Sequence, residues 1–256
     1  MITAKHVTKN FRSSGFRHST ELRAVSDVSL SIEEGRIYAL VGESGSGKTT
    51  LAHLLLGLQK PEAGGVYLDG QSILSIKPKE RFRQIQLVLQ DGKSALDPAM
   101  SVGQSIAEPM LTMKLCDRKT ARQHVESLLH AVDLAPEIAK RKPAELSGGE
   151  QKRVCIARAL CVKPRFIFFD EATAGLDVIR REQVLVLICN LQREYGFTSV
   201  FITHDLEVAL HTADTIHVMK GGRIVETLVR PFAPENVQHP YTQILMREFT
   251  DPVFAH

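Results

Sequence analysis

The sequence predicts an α/β fold built on a parallel sheet with helices on its faces. Three observations predict it. Apolar runs of strand length recur at residues 37–41, 166–169, 198–202 and 216–219. Helical patterns separate the later runs from one another, and a glycine-rich turn joins the first run directly to a helix. A chain of 256 residues sits at the upper edge of one domain and can bury a real core, so residues 1–256 are expected to form a single domain.

The elements follow in order. Up to about Glu34 the chain reads as short strands, with Val25, Val28, Leu30 and Ile32 alternating as on a half-buried strand. Between Phe11 and Leu22 a polar loop is expected around Arg12, Ser13, Ser14 and Gly15. Residues 37–41 are continuously apolar, as for a central strand covered on both faces. A helix is expected from about Lys48 to Leu58, a turn, strand and turn over 61–70, and a strand over 85–89. From about 91 to 160 the strand signals vanish and helical patterns take over, notably at 120–132 and 149–160, which marks a helical insertion. The Lys220-Gly221-Gly222 turn suggests a closing hairpin between 216–219 and 223–225. A short extension follows from about 227 to 256.

Composition excludes several classes. With 43% apolar and 24% charged residues, 17 Gly and 11 Pro, the chain has no low-complexity bias. The formal charge of +3 is carried by scattered residues, which gives no reason to expect nucleic acid as a partner. The first residues lack the pattern of a secretory signal and no segment approaches the roughly 18 apolar residues of a membrane span, so the chain is expected in the cytoplasm. Cys116, Cys155, Cys161 and Cys189 match no C-x-x-C pattern and read as plain thiols.

The chemistry concentrates in a few strings. Gly42-Glu43-Ser44-Gly45-Ser46-Gly47-Lys48-Thr49 fits the phosphate-loop pattern G-x-x-x-x-G-K-[S/T], with Thr50 following, and lies between a buried strand and a helix. Small residues let the backbone wrap β- and γ-phosphates, the helix start adds its positive end, Lys48 brings a mobile charge, and the Thr49 hydroxyl can ligate magnesium. Residues 166–169 lead into Asp170 and Glu171, two carboxylates at a strand end. One can hold magnesium through water and the other can orient or deprotonate an attacking water. Standing alone the pair could also simply open a loop or cap a helix, and the Leu146–Gln151 string, taken as a bare string, could equally be an ordinary capped helix. Ser147, as an N-cap followed by Gly148 and Gly149, leaves amides uncovered and makes a second anion cradle. One phosphate tail does not need two cradles in one chain, so the second is expected to close on a nucleotide held by another subunit.

The phosphate loop, Gln90, the string Leu146-Ser147-Gly148-Gly149-Glu150-Gln151, Asp170-Glu171, Asp177 and His204 occur in the order found in ATP-binding subunits of ABC transporters. The chain resembles that family over nearly its whole length, and the six-residue string is highly specific to it. The resemblance implies a P-loop NTPase fold with a mixed or parallel sheet core, an N-terminal antiparallel β subdomain and an inserted helical subdomain. It implies ATP and Mg2+ as ligands, with Thr49, Gln90 and Asp170 near the metal. Glu171, His204 and Lys48 would be the catalytic groups, and Ser147, Gly149 and Gln151 would face the opposite subunit's nucleotide. Asp177 would lie at the dimer seam, although Ala174-Gly175 departs from the more usual Ser-Ala there. His204 resembles the switch histidine that senses the γ-phosphate. Phe11 resembles the aromatic that stacks on adenine, with Phe16 as its competitor.

A narrower likeness comes from residues 82–91, Ala95-Leu96-Asp97-Pro98 and Gln238-His239-Pro240-Tyr241-Thr242. These are similar to the oligopeptide, dipeptide and nickel importer branch. A lone histidine before proline, His239 reads as structural rather than as a metal ligand. Implied partners are a second ATPase subunit, identical or paralogous, two transmembrane permease subunits and, indirectly, an extracytoplasmic substrate-binding protein. The implied location is peripheral, on the cytoplasmic face of the inner membrane. A soluble, non-transport ABC ATPase is the alternative, though the chain carries neither the coiled coils nor the paired cassettes common there.

Overall fold

The computed structural model describes residues 1–14, 19–90, 95–172, 175 and 177–250. The chain forms two compact units, Met1–Lys77 with Val200–His256, and Pro78–Ser199.

The first unit opens with β1 (Ile2–Ser14) and β2 (Ser19–Ile32), followed by β3 (Ile37–Val41), α1 (Lys48–Leu55), β4 (Ala63–Leu68) and β5 (Gln71–Ser72). Strands β2-β1-β4-β5 make an antiparallel sheet. Its register places Ile2 opposite Ile32 and Leu68, and Ala4 opposite Leu30 and Val66, so the alternating apolar residues share one buried face. The polar loop expected between Phe11 and Leu22 is corrected: β1 continues to Ser14 and β2 starts at Ser19, with Phe11 paired to Leu22. Pairing of β1 with β4 stops at Thr8, and beyond it only a two-stranded ribbon remains. Phe11 (40% exposed) and Leu22 (67% exposed) gain a cross-strand partner there but little apolar cover, so no period-two pattern marks the pairing in the sequence.

The second unit holds α2 (Pro78–Gln84), β6 (Ile85–Val88), α3 (Val102–Thr112), α4 (Arg118–Ala131), α5 (Gly148–Leu160), β7 (Phe166–Asp170) and α6 (Val178–Tyr195). Strands β6 and β7 run parallel, with Ile85 opposite Phe166 and Val88 opposite Phe169. Helix starts are set by short polar caps. Ser101 and Gln104 form a reciprocal box on α3, Asp117 accepts from Thr120 N–H on α4, and Gly196 ends α6 with φ 71.

Back in the first unit come β8 (Thr198–Thr203), α7 (Leu206–Thr212), β9 (Thr215–Lys220), β10 (Arg223–Val229) and α8 (Pro240–Thr250). The strand order is β10-β9-β3-β8, with β3 and β9 parallel and β9 and β10 antiparallel. The β9–β10 hairpin closes at Gly221 and Gly222, with Lys220 paired to Arg223. Both glycines have positive φ, 54 and 79, as a tight hairpin turn requires. The tail helix α8, not foreseen as a helix, buries Tyr241, Thr242 and Met246. No helix among the described residues is long and apolar enough to cross a membrane. All four cysteines are free thiols, and burial pushes Cys161 up to about 12.

His217 on β9 is buried, stacks on Tyr38 at 6.1 Å between ring centroids and pairs through Nδ1 with the Thr227 hydroxyl at 3.0 Å. Burial lowers its pKa from 6.5 to about 4. Between those values the unfolded chain binds a proton that the folded ring excludes, so stability falls as pH drops through that window and levels off below it. The contribution is on the order of 3 kcal/mol. Denaturant unfolding at pH 7 and pH 4.5 should therefore show a smaller acid loss in His217→Gln than in the parent, and identical losses would refute the assignment. At Gly47, φ is 101 and an added Cβ would sit 2.0 Å from the Ala24 carbonyl oxygen. Gly47→Ala is expected to cost more than about 2 kcal/mol in unfolding free energy.

Candidate functional site

In the first unit the five buried residues of β3 deliver the chain to Gly42, where the phosphate loop begins. The loop is seated on backbone. A Cβ at Gly42 would lie 2.1 Å from the Met219 carbonyl oxygen, and Gly222 N–H donates to the Ser46 carbonyl at 3.0 Å. Two of its residues thus rest against β9 and the β9–β10 turn. The α1 ladder begins with Leu51 N–H donating to Gly47 at 2.9 Å, and no side chain caps the helix. The first-turn amides of Lys48, Thr49 and Thr50 therefore lie ahead of the ladder, where an anion is favoured.

Glu43, Ser44 and Gly45 form the exposed rim, while Ser46 is buried with no hydrogen-bond partner for its hydroxyl among the described residues. Lys48 is buried as well. Its ammonium donates to the Gly42 carbonyl at 2.7 Å and the Glu43 carbonyl at 2.9 Å. A charge kept on loop carbonyls fits a site built to receive phosphate. Thr49 is exposed and Thr50 half-buried. The structure thus gathers Gly42, Glu43, Ser44, Gly45, Ser46, Gly47, Lys48, Thr49 and Thr50 into one cradle. Also in this unit, His204 is exposed just past β8, where Asp205 turns the chain into α7 by accepting from Val208 N–H at 3.2 Å. Phe11 is exposed on the ribbon with the Lys9 ammonium 5.7 Å from its ring centroid. Its competitor Phe16 lies outside the described residues.

In the second unit β7 ends in the buried Asp170, and Glu171 follows with φ 47. A non-glycine residue in the left-handed region carries a backbone cost, which Glu171 shares with residues such as Asp27, Asp69 and Asp133. Gln90 is exposed two residues past the end of β6. At the start of α5, Ser147 Oγ accepts from Glu150 N–H at 3.3 Å while Glu150 Oε2 accepts from Ser147 N–H at 2.8 Å. The backbone and hydroxyl of Ser147 hold the Glu150 carboxyl below its usual range. Added Cβ atoms at Gly148 or Gly149 would meet nothing within 4 Å, so the helix start is open on that side. Gln151, expected to face nucleotide, instead turns inward. Its amide is buried and donates to the Pro143 and Leu146 carbonyls at 2.8 and 3.3 Å, which shapes the turn. Asp177 caps α6 by accepting from Arg180 N–H at 2.9 Å.

Two residues escaped the sequence reading. Lys152, buried on α5, donates to the Leu89 and Gln90 carbonyls at 2.9 and 2.5 Å and ties the glycine turn's helix to the end of β6. Flanked by Gln151 and Arg153 at a polar helix start, it carried no sequence signal of burial. Tyr241 on α8 accepts from the Glu43 N–H of the phosphate loop at 3.1 Å, nearly two hundred residues away in sequence. The tail string that contains it resembled a branch of the family, yet nothing in its pattern pointed to the loop.

Comparison with known proteins gives the family. The family described as "ABC transporter" matches residues 25–174. The glutathione import ATP-binding protein GsiA of Pectobacterium atrosepticum is 42% identical over 233 residues, covering 90% of this chain and 37% of the relative. The probable peptide ABC transporter ATP-binding protein y4tS of Sinorhizobium fredii is 41% identical over 228 residues, 88% of this chain and 65% of the relative. The chain therefore spans less than two thirds of the length of either. Among solved structures, the ATP-binding cassette MJ0796, a dimer in a post-hydrolysis state bound to ADP and Pi, superposes with a TM-score of 0.80 at 31% identity. That match covers 91% of this chain and all of that one. With the expected α/β architecture, a cradle for phosphate and matches of this extent, the chain belongs to the ABC transporter family.

Proposed function

We propose that this chain binds and hydrolyses ATP as a subunit of an importer, closing on a second cassette when nucleotide is bound and reopening after hydrolysis. The observation that carries the reading is the pair of anion cradles in one chain, the loop from Gly42 to Thr50 and the open glycine turn after Ser147. A single triphosphate is satisfied by one of them, so the other serves the nucleotide of the opposing subunit.

The roles follow from chemistry. Loop amides bind the β- and γ-phosphates and Lys48 neutralises their charge. Magnesium, when bound, screens the phosphate oxygens and orders them for in-line attack. Thr49 and Asp170 offer the oxygen donors that such a hard cation takes, with Gln90 as a further oxygen. Glu171 accepts the proton of the attacking water, and His204 donates to the γ-phosphate. Ser147 and Gly149 reach that phosphate from the other subunit, with Asp177 at the seam, and Phe11 stacks on adenine. Gln151 supports the turn from behind.

The whole of 1–256 then acts as one cassette, with a helical insert near 91–160 that docks on permease subunits and an extension from about 227. The names of the relatives favour peptides, glutathione among them, over nickel or other metal chelates as cargo. The chain would sit peripherally on the cytoplasmic face of the inner membrane, beneath two permease subunits fed by an extracytoplasmic binding protein. Because ATP binds the closed pair better than the open one, binding shifts that equilibrium and the helical insert passes the motion on.

Glu171→Gln should keep ATP binding, lose at least about a hundredfold in turnover and accumulate closed dimers on a sizing column. Turnover equal to the parent's would remove Glu171 from the mechanism. A Cβ at Gly149 would meet nothing within 4 Å in the monomer, so the melting temperature and ATP binding of Gly149→Asp should match the parent's. Dimer formation with ATP and hydrolysis should both fall more than about tenfold, because a carboxylate then faces the partner's γ-phosphate. Normal dimers in that variant would contradict the second cradle's role.

A further inference from the structure

The Gly42 carbonyl and the Glu43 N–H are the two ends of one peptide unit, and each end is held by a different side chain. Lys48 donates to the carbonyl at 2.7 Å, and Tyr241 accepts from the N–H at 3.1 Å. Rotation of that peptide plane would break both bonds together. Gly42, without a Cβ, offers little steric resistance to such a rotation. The hydroxyl of Tyr241 is therefore what resists it from the far side.

Tyr241 is itself fixed. The residue is 4% exposed, the Lys220 ammonium lies 4.4 Å from the ring centroid, and its N–H donates to His239 Nδ1 at 3.2 Å. The segment before it is bolted to β10, where Glu226 Oε1 accepts from Gln238 N–H at 2.6 Å and from His239 N–H at 3.3 Å. Gln243 closes the start of α8 by donating its amide to the Val237 carbonyl at 3.0 Å.

The geometry points to Tyr241 as a positioning residue for nucleotide binding: it locks the Gly42–Glu43 peptide and thereby sets where the Lys48 ammonium rests before phosphate arrives. The C-terminal helix is then part of the nucleotide site, although it supplies nothing that touches phosphate. Lys48 has a long, flexible stem, and the Gly42 and Glu43 carbonyls are two of the groups that hold its ammonium. One of those anchors is only as steady as the peptide that Tyr241 holds. The inference rests on the reading of residues 42–50 as an ATP cradle.

The test is Tyr241→Phe, which keeps the ring, its burial and its contact with Lys220 and removes the hydroxyl that accepts from Glu43. MgATP affinity is measured by equilibrium titration in a Glu171→Gln background, where nucleotide survives, and KM and kcat are measured in the parent background. The expected result is a three- to tenfold weaker dissociation constant, the loss of roughly one hydrogen bond's worth of hold. KM should rise by the same factor with kcat nearly unmoved, and the melting temperature without nucleotide should stay that of the parent. In a Lys48→Ala background, Tyr241→Phe should change nothing further, since the residue acts through Lys48. Equal affinities with and without the hydroxyl, or a full additional loss in Lys48→Ala, would overturn the inference while leaving the cradle intact. A drop in melting temperature with unchanged affinity would do the same by reducing Tyr241 to a structural contact. A parent protein that binds no MgATP would remove the functional reading and this inference together.

Discussion

The first unit depends on a contact that involves no side chain of the phosphate loop. The loop lies against the carbonyls of Ala24 and Met219, at distances that leave no room for a Cβ at Gly47 or Gly42. The Gly222 N–H reaches back to Ser46, while the Gly222 carbonyl accepts from Ser26 N–H at 2.8 Å. Strand β2, the β9–β10 turn and the loop are therefore stitched through backbone atoms alone. Everything that gives the cradle its chemistry, from the uncapped α1 amides to the folded-back Lys48, inherits its position from that seat.

What could be read from the sequence follows from how far each signal lies from its cause. Strands β3 and β7 are buried on both faces, so their apolar runs are unbroken and stood out at once. The β9–β10 hairpin was legible because two glycines in succession have few other uses. The ribbon beyond Phe11 was not, since its stability comes from ladder hydrogen bonds that any residue makes and no burial pattern records them. The tail helix α8 was missed for the opposite reason: Tyr241, Thr242 and Met246 are buried, and Tyr241 reaches Glu43 nearly two hundred residues away in the chain.

The same distinction runs through the site residues. Positions whose role is carried by backbone geometry, such as Gly42 and Gly47, were visible because glycine is itself the signal. Gln151 belonged to a recognisable string, but the string does not say which way each side chain points, and this one points inward to Pro143 and Leu146. Lys152 and Tyr241 work through carbonyl and amide groups that every residue possesses, and a partner of that kind leaves no trace in composition or spacing.

The bare start of α5 carries a consequence of its own. Glycine in a helix is disfavoured by up to about 1 kcal/mol relative to alanine, and at Gly148 and Gly149 an alanine methyl would meet no obstacle. Local stability therefore pulls both positions toward larger residues, and nothing in the isolated chain pushes back. A screen that rewards heat tolerance alone would erase these glycines. On the role proposed for this turn, only a screen that also rewards function would keep them.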